Sequence, residues 1–197
     1  MLNKNLIQAR CYRYTRQVLA ALALLLVSAS SFAVEDQSIT IRSASFSLQD
    51  KTYLLNAHID YSLSDEAIEA LHNGVTLTFN VELSIIEPRS WLWNKHISSL
   101  TLPYRIKYHT LAETYQVSDT TNNLQHNFSS LSAALHALGT VDDTPIHAMT
   151  SSNAFTANGS LKAYLNIEAL PLPMRPLAYI TAGWYLRSKT FQWPLTQ

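Results

Sequence analysis

Seven histidines and 14 carboxylates are the side chains of this 197-residue sequence with the widest chemical reach. A metal site or an acid–base pair needs at least two of them on one face, and their spacing seldom provides it. His58 and Asp60 come nearest. Two residues apart in an alternating segment, they point the same way and could share a cation or a proton. The same alternation with Tyr53, Leu55, Ile59 and Tyr61 makes them the solvent face of an edge hairpin, which is the reading preferred here. His109 and Glu113 stand four apart, the spacing at which a helix joins a ligand to a base, but they flank a turn between strands. An enzyme would have to be built around His58 with Asp60, or around His109.

Other chemistries find less support. No serine lies in Gly-x-Ser-x-Gly or Ser-x-x-Lys, and four glycines are too few for a loop that cradles phosphates through clustered amides. Asp142-Asp143 lacks the spaced oxygens and the glycine of a calcium loop. No catalytic, cofactor-binding or metal residue is assigned, and no cofactor is expected. Aromatic segments stand out instead: Trp91-Leu92-Trp93, Tyr104, Tyr108, Tyr115, Trp184-Tyr185 and Phe191-Gln192-Trp193. Most belong in a core, where each large ring buries about 150 to 250 Å². Two tryptophans at i and i+2 in a loop cannot both turn inward easily, and prolines fix backbone torsions before any binding event. Trp91, Trp93, Pro171, Pro173, Arg175 and Pro176 are therefore the candidate interaction surface.

The elements that must hold these residues are mostly strands. Residues 39 to 63 read as a hairpin around Gln49-Asp50-Lys51, with Tyr53, Leu55, Ala57, Ile59 and Tyr61 on one face. Ser64 is a good N-cap for a short helix that Asn73-Gly74 stops. Val75 to Ile85 alternates most cleanly, with Phe79 on the apolar face. Ile97 to Tyr108 and Thr114 to Ser118 follow as strands, Pro103 requiring that the first be an edge or be broken there. Thr120 to Asn123 is then a turn, in which a glycine is expected and absent. Ser129 or Ser130 caps a second helix carrying Leu131, Leu135 and Leu138, which Gly139 closes in the left-handed conformation. Asp142 to Pro145 reads as loop and Leu161 to Ile167 as a half-buried strand. The prolines stiffen Leu170 to Leu177, and an aromatic strand runs from about Trp184 to Trp193. The expected fold is mainly β: an antiparallel β-sandwich or bent sheet with two short helices. An outer-membrane barrel is disfavoured by the two helices and the unequal strands.

The N-terminus places this domain. Lys4, Arg10, Arg13 and Arg16 precede ten apolar residues, Val18 to Val27, and Ser31-Phe32-Ala33 offers small residues for a signal peptidase. Residues 1–33 read as a signal peptide and 34–197 as a single periplasmic domain, with an uncleaved inner-membrane anchor as the alternative. Four of the 14 basic residues lie in the leader and all 14 acids follow it, leaving ten cations against 14 anions. That balance opposes nucleic acid and anionic membrane surfaces, and no stable membrane insertion is expected after cleavage. Cys11, the one cysteine, leaves with the leader, so no disulfide or thiol chemistry remains.

Tyr108-His-Thr-Leu-Ala-Glu-Thr-Tyr115, Ser130-Leu-Ser-Ala-Ala-Leu135, Leu170-Pro-Leu-Pro-Met-Arg-Pro176, and Trp184 with Ser188 and Trp193 resemble the exported family of unknown function DUF4390. The likeness spans nearly all of residues 34–197. By association with neighbouring genes for a nitrogen-regulation-type sensor kinase and response regulator, it implies an envelope protein partner, a membrane sensor kinase. It brings no catalytic residues. The sequence thus points to a non-enzymatic periplasmic accessory or interaction domain, with the enzyme around His58, Asp60 or His109 as the alternative.

Overall fold

The computed structural model describes residues 39–49, 52–87, 95–146 and 158–194, all within one compact unit, Asp36–Gln197. The leader, its cleavage point after Ala33, and Trp91 and Trp93 lie outside the described residues. Strands β1 (Ile39–Gln49) and β2 (Thr52–Tyr61) form the expected hairpin, from Ile39↔Tyr61 to Gln49↔Thr52, with an irregularity between Ile41 and Ser43. Every second residue of β2 is buried, starting at Tyr53, so the period-two alternation fixes which face meets the core. Helix α1 (Asp65–His72) begins where Ser64 Oγ accepts the Ala67 amide at 3.1 Å and ends at Asn73, with Gly74 at φ 81°.

Strand β3 (Leu77–Glu87) is the centre of the larger sheet, and Leu77, Phe79, Val81, Leu83 and Ile85 are all buried. It is flanked by β4 (Lys95–His109) and β8 (Asn158–Leu165). Outside these lie β5 (Thr114–Asp119) with β6 (Leu124–Phe128) on one side and β9 (Phe191–Pro194) on the other. The order is β6-β5-β4-β3-β8-β9, antiparallel throughout. The smaller sheet has the order β1-β2-β7, where β7 (Thr140–Ile146) follows helix α2 (Leu131–Gly139) without a loop. The two sheets share one core. The Tyr61 ring meets Phe79 edge-on at 4.9 Å, and Phe46 of β1 meets Trp193 of β9 at 5.1 Å. This is a mainly-β sandwich with short helices, as the alternation predicts.

Five local expectations need correction. Pro103 stands in an internal strand, unbroken. Its carbonyl accepts the Thr120 amide, so its donor-less nitrogen faces the β5 side one residue beyond the last β5 pair, Tyr104↔Asp119, where the ladder ends and only the reciprocal bond to Thr120 is forgone. Gly139 is not left-handed; a Cβ there would overlap the Ile59 carbonyl oxygen, so glycine is needed for close approach of helix to strand. Residues 142–145 are strand, not loop, and β7 bends at Asp143 (φ 45°), whose amide donates to the Asn56 side chain. The proline segment contains a third helix, α3 (Arg175–Ile180), with Pro176 in its first turn, where no N–H is needed. The closing strand is only four residues long, because Ala182–Trp184 is a 3₁₀ turn and Arg187 makes a lone bridge to Tyr164. The missing glycine after β5 is supplied by Asn123, at φ 54°, and Asp119 Oδ1 accepts the Thr121 amide at 2.8 Å to hold the turn.

Candidate functional site

His58 and Asp60 do share a face. The hairpin register sets Asp60 opposite Thr40 and His58 opposite Ser43, and His58 Nε2 lies 3.5 Å from Asp60 Oδ1. The other carboxylate oxygen of Asp60 accepts from Arg42 Nε. All three side chains are 40% or more exposed, so the pairing contributes less than about 1 kcal/mol. His136 of α2 stacks edge-on against His58 at 5.5 Å, yet no three His, Cys, Asp or Glu side chains converge among the described residues. His109 is engaged elsewhere: its Nε2 donates to Gln116 Oε1 at 3.1 Å, and Gln116 donates to Gln125 at 3.2 Å, a polar row across β4, β5 and β6. Glu113 sits in the turn at φ 50°.

The proline segment is built differently. After β8 the chain makes a 3₁₀ turn, Ile167–Ala169, and Leu170 plugs the core. Arg175 Nε donates to the Leu170 carbonyl at 2.9 Å while its Nη1 lies 3.5 Å from Glu168. The Tyr179 hydroxyl donates to the same carboxylate, an interaction that holds the phenol protonated to higher pH. With Ala178 and Trp184 buried beneath, these contacts hold α3 in place. The helix and its flanks present apolar side chains outward: Leu172 before it is 72% exposed, Leu177 60%, Ile180 83% and Tyr185 after it 58%. Pro171, Pro173 and Pro176 are exposed beside them, whereas Arg175 is a half-buried brace. The sequence pointed to the prolines and passed over Leu177 and Ile180, whose spacing of three becomes informative only once a helix is assigned.

A groove of about 460 Å³ opens where α2 meets β5, β6 and β7, lined by Val117, Phe128 and Val141 with Tyr104, His126 and His136. Burial, aided by the Asp119 carboxylate, pushes the Tyr104 phenol up to about 12, against a hydrogen bond to Thr144 that lowers it. Tyr104 therefore stays neutral throughout the physiological range. His58, Asp60 and His109 line neither this groove nor the two hollows on the far face of the larger sheet.

Fold and surface together define a mainly-β, two-sheet domain with short helices and a braced apolar ledge at α3. The chain belongs to the family described as Domain of unknown function (DUF4390), which matches residues 36–194. That span includes every segment on which the resemblance rested. No curated protein and no solved structure matches the chain.

Proposed function

We propose that the chain is a non-enzymatic interaction domain of the Gram-negative envelope, delivered to the periplasm by a signal peptide cleaved after Ala33. Its contact surface is the α3 ledge. The observation that carries this reading is the exposure of Leu172, Leu177, Ile180 and Tyr185 on a segment fixed by Arg175 and Glu168. Apolar side chains held outward in a rigid frame lose little entropy on association, and large rings and aliphatic anchors carry most of the energy of protein interfaces. An envelope protein partner fits this chemistry, and the family's genetic neighbourhood nominates a membrane sensor kinase.

The test is co-purification from native envelopes with wild-type protein and with the double variant Leu177→Ser, Ile180→Ser. Loss of the partner without loss of fold supports the reading, and an undiminished partner removes it. Intact mass of the envelope protein should give Val34 as the first residue. Full-length protein retained in the inner membrane would replace the cleaved leader with an anchor.

A further inference from the structure

The outward face of the six-stranded sheet gathers positive charge that the rest of the domain lacks. Of the ten Lys and Arg residues after position 33, five lie on this face: Arg105 and Lys107 of β4, Lys162 of β8, and Arg187 and Lys189 in the segment leading to β9. Alternation places them there. Leu102, Tyr104 and Ile106 point into the core, so residues 105 and 107 point out, and Arg187 bridges to Tyr164 on the same side as Lys162. Glu82, directly opposite Lys162, is the one carboxylate on this face among the described residues. The ion pairs of the described residues, at Asp60 and Glu168, use none of the five cations.

Three of these cations close on a hollow. A space of about 500 Å³ is lined by Lys162, Arg187 and Lys189 with the hydroxyls of Ser188 and Thr190. A second hollow of about 200 Å³ shares Glu82, Lys162 and Thr190 with it and adds Ser84 and Ser160. Two of the lining groups are held in place. The Arg187 guanidinium lies 3.7 Å over the Tyr185 ring, and Ser188 Oγ accepts the Ala163 amide at 2.9 Å, which leaves its own O–H free to donate. Three cations beside the single carboxylate of Glu82 leave a net positive charge, and an anion among them turns their mutual repulsion into attraction. A tetrahedral oxyanion suits these donors best, since it accepts from a guanidinium fork, from ammonium groups and from hydroxyls at once. The volume is that of a small-molecule site.

We propose that the hollow between Lys162, Arg187 and Lys189 is an anion-binding site for a small phosphate-bearing ligand. It shares with the α3 ledge only Tyr185, whose ring lies under Arg187, and none of its anion-binding groups belongs to the ledge. Glu82 at its rim limits the affinity for a bare anion and offers an acceptor to a hydroxyl on the ligand's body.

The experiment is a titration of the protein purified from the envelope with inorganic pyrophosphate at constant ionic strength, read by amide chemical shifts, alongside sedimentation with phosphatidylglycerol and with phosphatidylcholine vesicles. Shifts centred on residues 160–164 and 186–190 are expected. Lys162→Ala with Lys189→Ala should weaken binding at least tenfold, Arg105→Ala with Lys107→Ala should change it less than twofold, and Glu82→Gln should tighten it about threefold. Should the lysine double variant unfold, Lys162→Gln alone and Glu82→Gln decide on the same directions. Absence of pyrophosphate binding, equal effects of the two double variants, or a Glu82→Gln variant that binds no better would overturn the site. Binding to phosphatidylglycerol vesicles alone would overturn it too, and would make the whole face a membrane contact.

Discussion

Strand β3 and the α3 ledge are both rich in aliphatic side chains, and they turn them in opposite directions. In β3, Leu77, Phe79, Val81, Leu83 and Ile85 are buried between the sheets while Thr78, Asn80, Glu82 and Ser84 face away from the core. In α3, Ala178 goes inward and Leu177 and Ile180 go outward. β3 owes its position to the area it removes from water. The ledge owes its position to polar contacts, Arg175 to the Leu170 carbonyl and Arg175 and Tyr179 to Glu168, so its apolar residues are available to a partner. The same residue types therefore serve stability in one region and, under the proposed function, recognition in the other.

The comparison can be tested from its strongest side. Phe79 is fully buried on the central strand of the larger sheet, against Tyr61 of the smaller one, and Phe79→Ala should lower stability by about 3 to 5 kcal/mol in chemical denaturation, with the slope unchanged. A cost near zero would break the assignment of the β3 faces. Gly139→Ala forces a methyl group into the Ile59 carbonyl and should cost about 3 kcal/mol, whereas a left-handed helix-closing glycine with room beside it would cost about 1.

A smaller effect comes from Tyr104. Its phenol is neutral in the fold up to about pH 12 and ionises near 10 when unfolded, so the folded state binds more protons between these values. Stability from this group is complete below pH 10 and lost as pH rises toward 12, on the order of 2 kcal/mol. Denaturation at pH 9 and pH 11 should show a steeper fall for wild type than for Tyr104→Phe; parallel curves would mean that the ring is reached by water. The smallest change belongs to the ledge. Leu177→Ser with Ile180→Ser should shift stability by about 0.5 kcal/mol or less, as surface substitutions do. A loss of several kcal/mol would make the ledge part of the core and erase the contrast.

How far these regions were legible beforehand follows from the same physics. The hairpin, α1, β3 and α2 announce themselves because a long element with one covered face must alternate, and because Ser64 and Ser130 both cap with their own hydroxyls. β6 does not, since four of its five residues are exposed and the ladder to β5 alone fixes it. β7 hides behind Asp142, Asp143 and Pro145, and becomes a strand because β2 offers it a partner. α3 hides behind its prolines. At the candidate sites, His58 beside Asp60 could be read from spacing, whereas the cationic hollow could not, because Lys162, Arg187 and Lys189 are joined only by the pairing of β3, β8 and the bridge at Tyr164.

That pairing also governs the order of events during folding. β3 receives β8 through Phe79↔Leu165, and β2 receives β7 through Tyr53↔Ile146, partners separated by more than eighty positions in the chain. Loops of that length must close before either sheet is complete, which places the domain among slow folders. A nascent chain that has not yet produced Asn158 has β3 open along one edge and nothing to cover it. For a polypeptide threaded unfolded through a membrane, as proposed here, this delay is useful: the architecture itself postpones folding until nearly the whole chain has emerged.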